Sequence, residues 1–157
     1  MQLSQKETLL LKDLKEQEQI CIEKYNHYAS EAKDGQLKGM LTNIAKVEQK
    51  HYDTVTQIMN GTVPTTQSGG GNQQQQQTPP TFTPTYKAGI NDQNKQKDSY
   101  LCIDLLSTEK HVSSLYNTAI FEFKDANVRQ VLNHIQKEEQ QHGEQIFEYM
   151  NQNGMYG

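Results

Sequence analysis

Residues 44–55 read IAKVEQKHYDTV, and residues 135–146 read IQKEEQQHGEQI. In each stretch a Glu and a His three positions apart sit between two apolar residues: Ile44, Glu48, His51, Val55, and Ile135, Glu139, His142, Ile146. Steps of four, three and four keep all of them on one face of a helix, because a turn takes about 3.6 residues. Each stretch is therefore an apolar helix seam interrupted at its middle by an ionisable pair.

The two stretches are copies. A shift of 91 positions places His51 on His142 and Glu48-Gln49 on Glu139-Gln140. The same shift lays Asp13-Leu14 on Asp104-Leu105, Glu18 on Glu109 and Tyr25-Asn26 on Tyr116-Asn117. It also lays Leu41 and Ile44 on Leu132 and Ile135, and Met59-Asn60 on Met150-Asn151, without a gap. The chain is read as an internal duplication.

Each copy predicts two helices. Ser4-Gln5-Lys6-Glu7 has the form of a capping box. Apolar residues then recur at Leu10, Leu14, Cys21, Tyr25, Tyr28 and Ala32 until Asp34-Gly35 interrupts. A second helix follows through Leu37, Leu41, Ile44, Val55 and Ile58, ending near Asn60-Gly61. The later copy repeats this, with Asp125 as the cap between its helices and a stop near Asn153-Gly154. Short connections make each pair antiparallel. The expected fold is all-α: a four-helix bundle of two duplicated antiparallel helix pairs joined by a long crossover. One domain covers 1–157, with helix pair one over 4–60, a Gln/Pro/Gly-rich linker over 61–90 and helix pair two over 91–153. The linker holds all four prolines and the glutamine run Gln73–Gln77, and is read as a flexible linker or long loop.

The seams of the remaining helices are interrupted as well. Between Leu14 and Cys21 the seam position is Glu18; between Leu105 and Val112 it is Glu109. Each lies 30 residues before the Glu of its own Glu-x-x-His. Glu18 and His51 are each about sixteen residues, or ~25 Å, from the Asp34-Gly35 turn, hence level with one another. Glu18, Glu48, His51, Glu109, Glu139 and His142 are therefore expected to meet at mid-bundle. Four carboxylates and two imidazoles cannot be buried without compensation. Two divalent cations balance four carboxylates, and a donor set rich in oxygen with two nitrogens suits iron or manganese better than zinc. This is the plan of the di-iron and di-manganese carboxylate bundles. A structural ion-pair cluster without metal accommodates the same pattern.

Tyr25 and Tyr116 lie seven residues after Glu18 and Glu109, two turns along the same face. Each is placed either to hydrogen-bond a ligand carboxylate on a facing helix or simply to fill the core. His27, His111 and His134 fall off the seams and are read as surface residues. Cys21 and Cys102 are read as reduced, buried thiols, and Met40, Met59 and Met150 as packing residues.

The composition sets outer limits. The chain has 157 residues, a net charge of −4 and 33% hydrophobic residues, with a mean hydropathy of −0.90. A mildly acidic chain lacks the basic stripe of a nucleic-acid binder. No segment approaches the ~20 apolar residues that span a bilayer, and the start has neither a charged nor an apolar leader region. The expectation is a protein made and kept inside a cell, without nucleic-acid or membrane partners.

The seam residues, with Tyr25 and Tyr116, resemble the ferritin-like superfamily. Rubrerythrins and bacterioferritins show a similar plan, including a Tyr seven positions after the first Glu. In this chain the Glu-to-Glu spacing is about one helical turn shorter, and no rubredoxin-like cysteine cluster is present. A closer resemblance is to the CotF-like family of spore coat proteins. It is carried by Leu3-Ser4-Gln5-Lys6-Glu7, Cys21-Ile22-Glu23-Lys24-Tyr25, and the Glu-x-x-His followed by Met59-Asn60-Gly61-Thr62-Val63-Pro64. It implies a two-repeat ferritin-like bundle, synthesised in the cytoplasm of a sporulating bacterium and deposited in the spore coat.

Two functions follow as expectations. One is a structural coat component that packs with other coat proteins and carries a carboxylate-bridged pair of Fe or Mn ions. Its glutamine run offers material for Gln–Lys cross-links, and its exposed helix faces are compatible with a homo-oligomer. The other is a di-iron or di-manganese oxidoreductase acting on peroxide or oxygen.

Overall fold

The first free N–H groups of a helix need acceptors from outside it, and four polar residues supply them at four helix starts. The computed structural model describes residues 1–65 and 80–155. Helix α1 spans Gln5–Glu31, α2 Gly35–Met59, α3 Gln93–Glu122 and α4 Ala126–Gln152. No strand occurs among the described residues. Ser4 Oγ accepts from the Glu7 N–H, and Glu7 Oε2 accepts from the Ser4 N–H, which closes the expected capping box. Asp34 caps α2 and Asp125 caps α4, as the sequence suggests; Asp92 does the same for α3.

Helix α1 packs against α2 and α3, and α4 packs against α3 and α2. The three-residue link Ala32–Asp34 makes α1 and α2 antiparallel. Lys6 pairs with Glu122 at one end while Tyr28 donates to Asp104 towards the other, so α1 and α3 are antiparallel too. It follows that α2 and α3 run parallel, and the start of α3 lies at the opposite end of the bundle from the end of α2. One cluster of buried apolar residues draws on all four helices, including Leu14, Cys21, Leu41, Leu105 and Ile135. Both cysteines are free and buried.

Within the stretch 61–90, the run Gln73–Gln77 lies outside the described residues. Residues 80–90 pack onto the bundle end that holds the α1–α2 turn. The Phe82 ring meets Tyr149 edge-on at 5.4 Å. The Asn153 side-chain oxygen accepts from the Thr85 and Tyr86 N–H groups. The Tyr86 hydroxyl donates to Asp98, whose carboxylate also accepts from the Lys33 and Asp34 N–H groups. Tyr149 donates to Asp34 at 2.6 Å. Asp98, fully buried on α3, thus ties the α1–α2 turn to the segment preceding α3. Gly154 closes α4 with φ +66°, and a Cβ there would lie 3.0 Å from the Ala88 Cα, so position 154 accepts glycine on both counts.

Candidate metal centre

Midway along the bundle, the seams of all four helices turn from apolar to ionisable. Glu18 comes from α1, Glu48 and His51 from α2, Glu109 from α3, and Glu139 and His142 from α4. Each is between 0% and 3% exposed. All six residues singled out in the sequence are therefore in one buried cluster.

The cluster resolves into two overlapping groups: Glu18, Glu48, His51 and Glu139, and Glu48, Glu109, Glu139 and His142. In each, one oxygen or nitrogen per residue can be chosen so that all lie within 4.8 Å of one another. Glu48 and Glu139, the carboxylates of the two Glu-x-x-His pairs, belong to both. The rings of His51 and His142 stack with centroids 6.0 Å apart. His51 Nδ1 lies 2.9 Å from Glu139 Oε1 and 3.5 Å from Glu48 Oε2. His142 Nδ1 lies 2.7 Å from Glu48 Oε1 and 3.4 Å from Glu139 Oε2. Each histidine thus faces the shared carboxylate of the opposite pair.

Close approach here does not mean satisfied hydrogen bonding. Among the described residues, the buried side-chain atoms lacking a hydrogen-bond partner are Glu18 Oε2, both oxygens of Glu48, Glu109 Oε2, Glu139 Oε2 and His142 Nδ1. His142 Nδ1 and Glu48 Oε1 are near enough for a hydrogen bond but not aligned for one. Every unpartnered atom belongs to this cluster, and each costs about 1–3 kcal/mol if left so. Five carboxylate oxygens and one ring nitrogen, gathered in one buried cluster, have the composition of the donor set of an oxygen-rich divalent-cation site.

Proton affinities across the cluster are displaced. Burial, followed by the neighbouring Glu48, pushes the Glu18 carboxyl well above its ordinary value. Burial and the charge of Glu109 do the same to Glu139. Burial works to raise Glu48 as well, but the close approach of the Glu18 carboxyl and of both imidazoles outweighs it and holds Glu48 well below the usual range. Burial opposes charge on His51, yet the surrounding carboxylates, Glu138 and Glu48 foremost, raise it to about 10. His142 is likewise raised against its burial by Glu109, Glu139 and Glu48. Without cations, these shifts favour the neutral forms of Glu18 and Glu139 and the charged forms of both imidazoles, which reduces the net negative charge of the cluster.

Tyr25 on α1 donates to Glu109 Oε1 on α3, and Tyr116 on α3 donates to Glu18 Oε1 on α1, the latter at 2.6 Å. The phenols hold one oxygen of each carboxylate and leave the other without a partner. Burial, then the adjacent carboxylate, raises both phenols, so they remain donors. Burial with the charge of the four glutamates also raises the Cys21 thiol, which keeps it protonated. His27 and His134 are exposed, as is His111.

One contact was not legible in the pattern. Glu138 Oε1 lies 3.1 Å from His51 Nε2, the ring nitrogen that points away from the cluster. Exposed His134, one turn earlier on α4, approaches the same oxygen at 3.2 Å. Glu138 stands one residue off the seam, where a Glu is ordinarily solvated, so periodicity alone gives no sign of it.

The fold and its centre define an all-α helical bundle with buried Glu/His groups at metal-binding distance. Residues 97–157 match the family model of the Coat F domain. The matched region contains Glu109, Glu139 and His142 together with the whole of α4. The match indicates the spore coat as the location of the chain. Among the described residues no helix is long and apolar enough to cross a membrane. Neither the curated proteins nor the solved structures contain a match to the chain.

Proposed function

We propose that the chain is a spore coat component, one ferritin-like domain over 1–157, whose four-helix bundle holds two iron or manganese ions at its centre. The observation that carries this reading is that, among the described residues, all six unpartnered buried side-chain atoms are confined to one cluster of six residues. Glu18 and His51 would hold one ion and Glu109 and His142 the other, while Glu48 and Glu139 serve both. Four carboxylates against two divalent charges leave the interior neutral, which is what burial requires. Tyr25 and Tyr116 orient the two outer carboxylates. Its partners are other coat proteins, with self-association through exposed helix faces.

The second reading is an oxidoreductase acting on peroxide or oxygen. It is favoured by the sharing of Glu48 and Glu139 between the two groups. When bound, a closely spaced iron or manganese pair supplies Lewis acidity and redox capacity.

Elemental analysis of protein produced with iron and manganese supplied tests the centre. Two ions per chain are expected, with loss of both in Glu48→Ala and of at least one in His142→Ala. Less than one ion per parent chain contradicts it. Peroxide or oxygen consumption by the loaded protein then separates the oxidoreductase from the structural component.

A further inference from the structure

The two halves of the cluster are copies in sequence but not in their surroundings. His51 has both ring nitrogens engaged: Nδ1 faces the cluster carboxylates and Nε2 meets Glu138 at 3.1 Å. His142 turns Nδ1 inward in the same way, but its Nε2 makes no hydrogen bond to any described residue. The duplication explains the difference. The 91-residue shift that lays Glu48 on Glu139 lays Val47 on Glu138. The same shift lays Asn43 on His134, so the outer approach to Glu138 is also missing from the other half.

A ligating imidazole must present a lone pair on one nitrogen and carry its proton on the other. A carboxylate accepting from the outer N–H fixes that tautomer, holds the ring plane and makes the inner nitrogen a better donor; losing such a partner typically costs ~10–100-fold in metal affinity. Glu138 is placed to do this for His51. Val47 has no acceptor with which to do it for His142.

We propose that the two halves are inequivalent metal sites: Glu138 positions His51 so that the Glu18–His51 half binds a divalent cation first and more tightly, and the Glu109–His142 half fills second. This rests on the metal-centre reading and adds to it an order of filling, set by one residue outside the ligand set. The duplicated bundle has diverged from symmetry at position 47/138, and the consequence is a centre able to exist with one ion.

Calorimetric titration of the metal-free full chain with Mn(II) alone tests the order, with Mn(II) electron paramagnetic resonance recorded at one and two equivalents. Two resolved affinities are expected, and a mononuclear signal at one equivalent that becomes spin-coupled at two. Glu138→Gln keeps the volume of a half-exposed residue; it is expected to weaken the first step ~10-fold or more and leave the second nearly unchanged. Val47→Glu is expected to strengthen the second step, a gain that no general damage to the fold would give. Glu18→Gln should remove the tight step and Glu109→Gln the weak one. A single affinity for two ions, or an unaltered first step in Glu138→Gln, overturns the inference while leaving the metal centre standing. No Mn(II) binding at all overturns the centre and the inference together.

Discussion

The Tyr116 hydroxyl reaches from α3 to Glu18 on α1, and the Tyr25 hydroxyl reaches back to Glu109. Each phenol spends a buried donor on a carboxylate that has no other side-chain donor within hydrogen-bonding geometry. Tyr116→Phe should therefore leave Glu18 with both oxygens unpaired in the metal-free chain. A loss of about 1–3 kcal/mol in urea denaturation of that form is expected, because the ring still fills its place and only the hydrogen bond goes. A loss under a few tenths of a kcal/mol would mean that the contact contributes nothing. The spacing of seven residues put these tyrosines on the right face, but it left packing and hydrogen bonding as equal alternatives. Facing helices had to be placed before a partner 98 positions away could be named.

At the scale of elements, the helix starts were legible and the ties between elements were not. Ser4, Asp34 and Asp125 stand where a cap is wanted, and local rules find them. Asp98 does not: its three donors come from Lys33, Asp34 and Tyr86, brought to it only by the folded bundle. Glu7 combines both cases. Its carboxylate closes the α1 capping box and also accepts from the Lys124 N–H in the α3–α4 turn. Those backbone hydrogen bonds, Ser4 first and Lys124 next, hold the Glu7 carboxyl below its ordinary value. A lowered folded value means that the stabilisation is present above the unfolded carboxyl range, near pH 4.5, and is lost as pH falls through the folded value. Glu7→Gln is expected to cost about 1 kcal/mol at pH 7, measured by chemical denaturation, with the difference from the parent shrinking on acidification. A difference that persists unchanged in acid would show that the carboxylate charge is not what matters.

For the whole molecule, the duplication and the apolar period exposed four helices and six converging residues, since both are properties of a helix and its copy. The difference between the copies was invisible, because Glu138 is one step off the seam and its value depends on the ring orientation of His51. The proton content of the cluster governs how the molecule responds to pH. With His51 raised to about 10, its contribution to the metal-free fold is fully present below the unfolded value of about 6.5 and is lost as pH rises through about 10. A cation must displace the protons of both imidazoles, so binding releases protons and apparent affinity rises with pH. Mn(II) affinity should increase between pH 6 and pH 8, and added Mn(II) should raise the melting temperature, by mass action worth about 2.7 kcal/mol at a hundredfold excess over Kd. A pH-independent affinity would contradict the assignment of those protons.

The central claim concerns where two ions sit, and anomalous diffraction from crystals of the metal-loaded full chain addresses it most directly. Data collected on both sides of the iron or manganese absorption edge should show two peaks per chain, both enclosed by Glu18, Glu48, His51, Glu109, Glu139 and His142. Glu48 and Glu139 should contact both peaks. Peaks elsewhere on the chain, or none in crystals grown from saturating metal, would contradict the account.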